Sequence, residues 1–214
     1  MRIEDMTAHT RPLRSLQEAE RNAAAAIERA APPTGRAAQL VKAAQRAPTA
    51  RQRVIWLQRA ASAWAEPLDQ VSACAPGCNH CCHISVMISD TEARLLGEAV
   101  GVQPQTPGYA PLTAELSGNV QLHGAPKLEA LYNDPCPFLQ DGMCGVYAHR
   151  PLACRTHINL DVDSALCRLM PGDAPKVPYA DASELKAFHL VAQPSARWAD
   201  IRAFFPPGNR PTWP

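Results

Sequence analysis

Cys74-Ala75-Pro76-Gly77-Cys78-Asn79-His80-Cys81-Cys82-His83 is the stretch on which the reading of this chain turns. It gathers four thiols and two imidazoles, and Pro76-Gly77 supplies a turn that can aim backbone amides at sulfur. The Cys78-x2-Cys81 spacing lets two thiolates converge on one metal. Cys81 and Cys82 are adjacent, so their side chains leave the backbone in different directions. One of them can therefore serve a second centre, remain a core thiol or take part in redox chemistry.

A second block lies downstream. It opens with Asp134-Pro135-Cys136-Pro137-Phe138-Leu139 and continues as Cys144-Gly145-Val146-Tyr147-Ala148-His149-Arg150-Pro151-Leu152-Ala153-Cys154-Arg155, with Cys167 thirteen positions farther on. Its prolines and glycine allow turns, and Phe138 and Tyr147 offer a hydrophobic wall that would shield a metal from water. Arg150 and Arg155 can offset the negative charge of thiolate-rich coordination, a surface salt bridge being the plainer alternative. His80 and His83 are suited to direct ligation, to hydrogen bonding beside the thiols, or to packing. His149 and His157 flank the second block and are not assigned to the metal. Cys74 and Cys167 are additional ligands, or else thiols that fill small apolar spaces.

The ordered combination of Cys74, Cys78-x2-Cys81-Cys82, Cys136-Pro137-Phe138-Leu139, Cys144-Gly145-Val146-Tyr147 and Arg150-Pro151-Leu152-Ala153-Cys154-Arg155 resembles the YkgJ-like cysteine-cluster family, described as zinc- or iron-chelating domains. The resemblance covers about residues 72–170. It implies metal coordination at Cys78, Cys81, Cys82, Cys136, Cys144 and Cys154, and leaves the metal open. A related cysteine block occurs in larger proteins that methylate flagellin lysines. This chain shows no glycine-rich segment suited to a methyl donor, so no catalytic residue is carried over and whether it is an enzyme stays open.

An iron–sulfur cluster is held by cysteine thiolates, and four of those six cysteines would supply it. Zinc accepts four thiolates in a tetrahedral structural site, and all eight cysteines would furnish two such sites. Iron, as a 4Fe-4S-type cluster, is favoured over zinc, partly on the resemblance. The spacing is unlike the bacterial ferredoxin run. A disulfide framework is the reading set aside, because the opening MRIEDMTAHTRP lacks the hydrophobic stretch of a secretory signal, and a cytoplasmic chain is expected.

The surrounding chain divides by composition. Residues 1–66 hold 18 of the alanines, 11 Arg or Lys against six Asp or Glu, and no cysteine, so this end carries +5 although the whole chain carries only +1. Alanine and long polar side chains favour helix, and Pro32-Pro33 ends a first helix read over Leu13 to Ala31. A second follows, with Thr34 as its cap and Leu40 and Val41 on its apolar side. A third runs from Thr49 or Ala50 to about Ala65, burying Val54, Leu57, Ala61 and Trp64 and leaving Arg51, Arg53 and Arg59 wet. A basic arm can touch RNA, DNA or acidic lipid, but this one has no interleaved aromatics, so a solvated face is the better reading and nucleic acid is not an expected partner. An unidentified protein partner remains open.

Farther on, Asp90 to Val100 reads as a helix capped by Ser89 or Asp90 and closed by Gly101. Gln103 to Pro111 reads as loop, and Leu112 to Gly124 as a short strand. Asp161, Asp163 and Ser164 lack the glycine and terminal acid of a calcium loop, and are read as capping a helix with Leu166, Cys167 and Leu169. Ser183 to Ala192 and Ser195 to Phe205 are helices separated by Pro194. No run is long and apolar enough to span a membrane, and no hydrolase or phosphate-binding motif occurs.

The expected fold is mostly α, a cysteine-rich α+β protein in which a helical arm packs on an irregular metal-binding module. Its parts are the arm over 1–66, the cysteine module over 72–170, a helical extension over 171–205 and a proline-rich tail over 206–214. The expected function is intracellular metal binding with a structural or redox role. The alternatives are a zinc-stapled structural or interaction module, a component of a protein-modification or electron-delivery system, and a nucleic-acid adaptor acting through the basic arm.

Overall fold

A computed structural model describes residues 15–107, 134–168 and 176–211. It bears out a mostly helical chain with small β elements, in which a helical arm lies over the cysteine module. The strand expected over Leu112 to Gly124 lies outside the described residues, as do Leu13, Leu169 and parts of the expected loop and tail.

Helix α1 spans Leu16–Arg29, where the Ser15 hydroxyl accepts from the Glu18 amide at 3.2 Å. Its buried alanines include Ala26, which joins Ile158, Leu160 and Ala180 in a small core. Helix α2 spans Arg36–Arg46. Its N-cap position is Gly35, left-handed at φ 72°, while the Thr34 hydroxyl one residue earlier accepts from the Arg36 amide at 3.4 Å. Helix α3, Ala50–Ala65, starts with a capping box in which Thr49 and Gln52 exchange bonds. Ala44, Leu57, Ala60, Ala61, Leu152 and Leu185 form the core between α2, α3 and the rest of the chain.

Arg51 and Arg59 stand in solvent as expected, and Arg53 does not. Its guanidinium is half-buried and donates to the carbonyls of Ala192, Ala47 and Pro48 at 2.8, 3.2 and 3.1 Å, satisfying chain ends that have no helical partner.

Strand β1, Met87–Ser89, leads into helix α4, Asp90–Val100, with Ser89 and Glu92 forming the capping box and Gly101 closing the helix at φ 70°. Asp141 and Gly142, both at positive φ, turn strand β2, Leu139–Gln140, into strand β3, Met143–Cys144. The short helix α5, Leu152–Arg155, follows, and α6 covers Ser183–Val191. The helix expected over Ser195 to Phe205 is mostly something else. Trp198–Asp200 forms strand β4, paired antiparallel with β1 in the register Met87 to Asp200, and only Ile201–Phe204 is helical, as α7. Ile88 and Ala199, both buried, need the paired edge more than alanine-rich propensity needs a helix. The expected cap before Cys167 is real but short: Asp163 accepts from the Ala165 amide at 2.9 Å at the head of a single 3-10 turn.

The main core contains Ile88, Leu96, Phe138, Val146, Ile201, Phe204 and Phe205, and Cys136, Cys144 and Cys154 pack along its margin. Phe138 and Phe205 meet edge-on with ring centres 4.9 Å apart. The cysteine module therefore has an apolar floor supplied partly by the C-terminal segment. No helix among the described residues is long and apolar enough to cross a membrane.

Gly97 permits the return of the chain after α4. A Cβ there would stand 2.3 Å from the Val102 carbonyl oxygen and 2.8 Å from Pro104 Cδ. Alanine normally stabilises a helix interior relative to glycine by about 0.5–1 kcal/mol, but this clash is with backbone. Gly97→Ala is expected to cost about 1–3 kcal/mol in urea denaturation, as overpacked cores do. An unchanged or raised midpoint would show that the segment yields freely.

Candidate metal centre

All eight cysteines are free thiols. They fall into two neighbouring groups that meet at the Cys81–Cys82 peptide.

The first group comprises Cys81, Cys82, Cys136, Cys144 and Cys154. The Cys82 amide donates to the Asn79 carbonyl at 2.9 Å, which folds His80–His83 into a 3-10 turn. The Cys136 amide then donates to the Cys82 carbonyl at 2.7 Å, joining the two sequence blocks directly. The Cys82 thiol is hydrogen-bonded to both Cys136 and Cys81. Those bonds, then burial, hold its proton far above the ordinary thiol range. The Cys82 neighbour is the largest cause that pulls Cys81 down to about 7 and lowers Cys136.

Cys144 is brought in by the β2–β3 hairpin, and Cys154 by α5. Burial raises both thiols, Cys154 well above the ordinary value, and the neighbouring sulfurs of Cys136 and Cys81 add to this. Two local turns oppose the effect: the Phe138 amide is directed at Cys136 and the Val146 amide at Cys144, each two residues beyond the cysteine it serves. An amide aimed at sulfur favours thiolate and thus a ligand. Arg150 adds positive charge near Cys81, Cys144 and Cys154.

The second group comprises Cys74, Cys78 and Cys167, with Cys81 at its edge. The Ala73 amide donates to the Asn159 carbonyl at 2.9 Å, and Asn159 bridges to Tyr179, so three remote segments converge. Between them is a cavity of about 30 Å3, lined by Cys74, Cys78, Cys81 and Cys167 together with His80, His157 and Tyr179. Asn159 Nδ2 donates to Cys167 Sγ at 3.3 Å, and the Tyr179 hydroxyl also bonds Cys167. Burial, with Cys74 and Cys78 nearby, still takes Cys167 up to about 11. His157 lies on the Tyr179 ring, centres 3.9 Å apart, and burial lowers its imidazole to about 4. It is thus held neutral, as ligation requires.

Of the six cysteines implied by the resemblance, five lie in the first group, whereas Cys78 and Cys81 share the cavity of the second. His80 lines that cavity and His83 is half-buried nearby. Phe138 is fully buried beneath the first group. Tyr147 is not part of a shielding wall: it is 63% exposed, and the Arg150 guanidinium stacks 3.6 Å over its ring. The one-turn Tyr147–His149 segment projects from the core, leaving the ring to the cation. Arg155 is committed to oxygen, donating to the Arg150 and Ala148 carbonyls and the Ser62 hydroxyl.

Sequence reasoning missed Arg202, Asn159 and Tyr179. Arg202 donates to the carbonyls of Cys82, Ile84 and Asp134 at 3.1, 3.2 and 2.6 Å while paired with buried Asp200. No local signal marks it, since its partners lie far away in sequence. Asn159 has a faint one: Asn159-Leu-Asp161 forms an Asx turn in which Asn159 accepts from the Asp161 amide at 2.8 Å.

Soft, free thiols, seven of them half-buried, with amides directed at Cys136 and Cys144, suit a thiophilic metal, and the donor set fits both zinc and an iron–sulfur cluster. Among the described residues no three donors already converge at ion-binding spacing, so ligation entails rotation of thiols about χ1. This geometry defines the class as a cysteine-rich metal-binding module. Residues 73–171 match the family model described as "CxxCxxCC: Putative zinc- or iron-chelating domain", and the chain carries a domain of that YkgJ-like family. No curated protein and no solved structure matches the chain.

Proposed function

We propose that the first group holds an iron–sulfur cluster on four of Cys81, Cys82, Cys136, Cys144 and Cys154, in a structural or redox role. The observation that carries the reading is the all-sulfur character of the group. Among the described residues the groups that act most on these five thiols are other thiols, backbone amides and arginine, Cys81 alone also sharing a cavity lining with the imidazoles of His80 and His157. Iron–sulfur clusters are ordinarily held by thiolates alone. The apolar floor of Phe138 and Phe205 supports it by limiting water, and directed amides from Phe138 and Val146 are the type of contact that tunes a cluster's potential.

Bound there, the cluster would link segments near residues 82, 136, 144 and 154 that have few regular ladders of their own. It would also supply one-electron chemistry to a partner if its potential is accessible. Iron, zinc and acid-labile sulfide counted per chain after anaerobic, tag-free preparation test this. Iron with sulfide is expected, lost from Cys136→Ser/Cys154→Ser. Zinc without sulfide in that group would reject the reading in favour of a zinc staple. A reversible metal-centred potential would then mark the redox role, and unfolding on iron removal without electron transfer the structural one.

A further inference from the structure

We infer that the chain has a second, separate metal site, in which a single zinc-class divalent ion is held by Cys74, Cys78 and Cys167 with Cys81 as the fourth sulfur. The boundary between the two centres then runs through the Cys81–Cys82 peptide, and the first centre keeps Cys82, Cys136, Cys144 and Cys154.

The cavity itself carries the argument. Four thiols line one partly open cavity, and none of Cys82, Cys136, Cys144 or Cys154 does. Its volume of about 30 Å3 is enough for one or two waters, which suits one ion. Its lining differs in chemistry from the first group. His80 and His157 face the same space, and a mixed sulfur and imidazole lining is the donor set zinc accepts.

The second observation is the support around the donors. Asn159 and the Tyr179 hydroxyl both donate to Cys167, a contact that a thiolate ligand keeps. Groups that orient a ligand from outside are the usual companions of a metal site. The Ala73–Asn159 backbone bond and the Asn159–Tyr179 bridge fix the cavity walls without any metal. Only thiol rotations remain for binding. Cys81 stands at the boundary: its sulfur lies beside that of Cys82 and also lines the cavity, so a rotation about χ1 commits it to the second centre. The inference does not depend on which metal fills the first group.

The test uses the full chain, prepared anaerobically with its iron centre reconstituted, and zinc ion or cobalt ion as probe. Wild type should take up one further equivalent with iron and sulfide unchanged, and cobalt should give the sulfur-to-metal charge-transfer and tetrahedral bands of a thiolate site. Cys74→Ser/Cys167→Ser should retain iron and bind the added ion roughly 100-fold or more weakly, since loss of supporting partners alone costs about 10–100-fold. Unchanged uptake by that variant would overturn the proposal, and so would loss of iron together with zinc, which would mean one shared centre.

Wild-type footprinting guards against misfolding of the variant. In chain stripped of metal, one equivalent of zinc should protect Cys74, Cys78 and Cys167 from alkylation and leave Cys136, Cys144 and Cys154 as reactive as before. Protection spread over both groups would overturn the second site. If wild type holds no iron or sulfide yet shows the localised footprint, the iron reading fails and the second site stands.

Discussion

Arg202→Ala is expected to lower the stability of the folded chain by about 3–5 kcal/mol, the cost of removing one partner of a buried ion pair. Arg202 and Asp200 are 7% and 5% exposed at their side chains, so solvent does little to screen the loss. The substitution leaves Asp200 uncompensated and strips donors from the carbonyls of Cys82, Ile84 and Asp134. Asp200 retains bonds from the Val86 amide and the Ser85 hydroxyl, at 2.9 and 2.8 Å, which keeps the estimate within that range. For a chain of this size each kcal/mol moves the melting temperature by about 2–4 °C, so a fall on the order of 10 °C should appear in thermal melts. Metal retention should fall with it, because the Cys82 carbonyl is where Arg202 and the Cys136 amide both dock. Arg202→Lys keeps the charge but not the planar fork, and should recover part of the loss. A melt within 2 °C of the parent would refute this role for Arg202.

The helices and their caps were legible because their signals are local. Thr49 and Ser89 are read as helix starts from their near neighbours, and the structure completes each as a capping box, with Gln52 and Glu92. The C-terminal segment was misread for the opposite reason. Whether Trp198–Asp200 is helix or strand depends on Met87–Ser89, more than a hundred residues earlier, and no periodicity within the segment reveals a partner so distant. Arg53 was misread likewise. Helical position predicts an outward face, but the carbonyl of Ala192 arrives from another element.

The site was half legible. Cysteine content and turn residues marked the donors, and adjacency alone showed that Cys81 and Cys82 need not act together. What the sequence lacked was the grouping. Cys78 and Cys81 read as one chelating pair beside Cys82, yet the arrival of Asn159, Cys167 and Tyr179 makes a cavity lined by the pair and not by Cys136, Cys144 or Cys154, with Cys81 next to both groups. Tyr147 shows the limit of hydrophobicity as a guide: an aromatic between cysteines suggests a lid, and here it carries a stacked arginine in solvent.

Glu92→Ala should be comparably damaging, with an expected loss of about 3–5 kcal/mol from unpaired buried donors. The carboxylate is 1% exposed and works in two directions. Oε2 closes the cap of its own helix by accepting from the Ser89 amide at 3.3 Å, and Oε1 accepts from the Leu152 amide at 2.8 Å and from Gln58 Nε2 at 3.3 Å. Leu152 begins the short helix that carries Cys154, so a residue of the α4 capping box also anchors a thiol of the first group. Glu92→Gln preserves the volume and one acceptor but turns an amide toward one of those donors, and should cost less, about 1–3 kcal/mol. Urea denaturation reads the total. Hydrogen exchange at the Leu152 amide separates the two directions, because loss of its acceptor in Glu92→Ala must speed it, whereas damage confined to the α4 cap would leave it protected. Slow exchange in Glu92→Ala would mean that α5 holds itself together, and the link from Glu92 to Cys154 would then be lost.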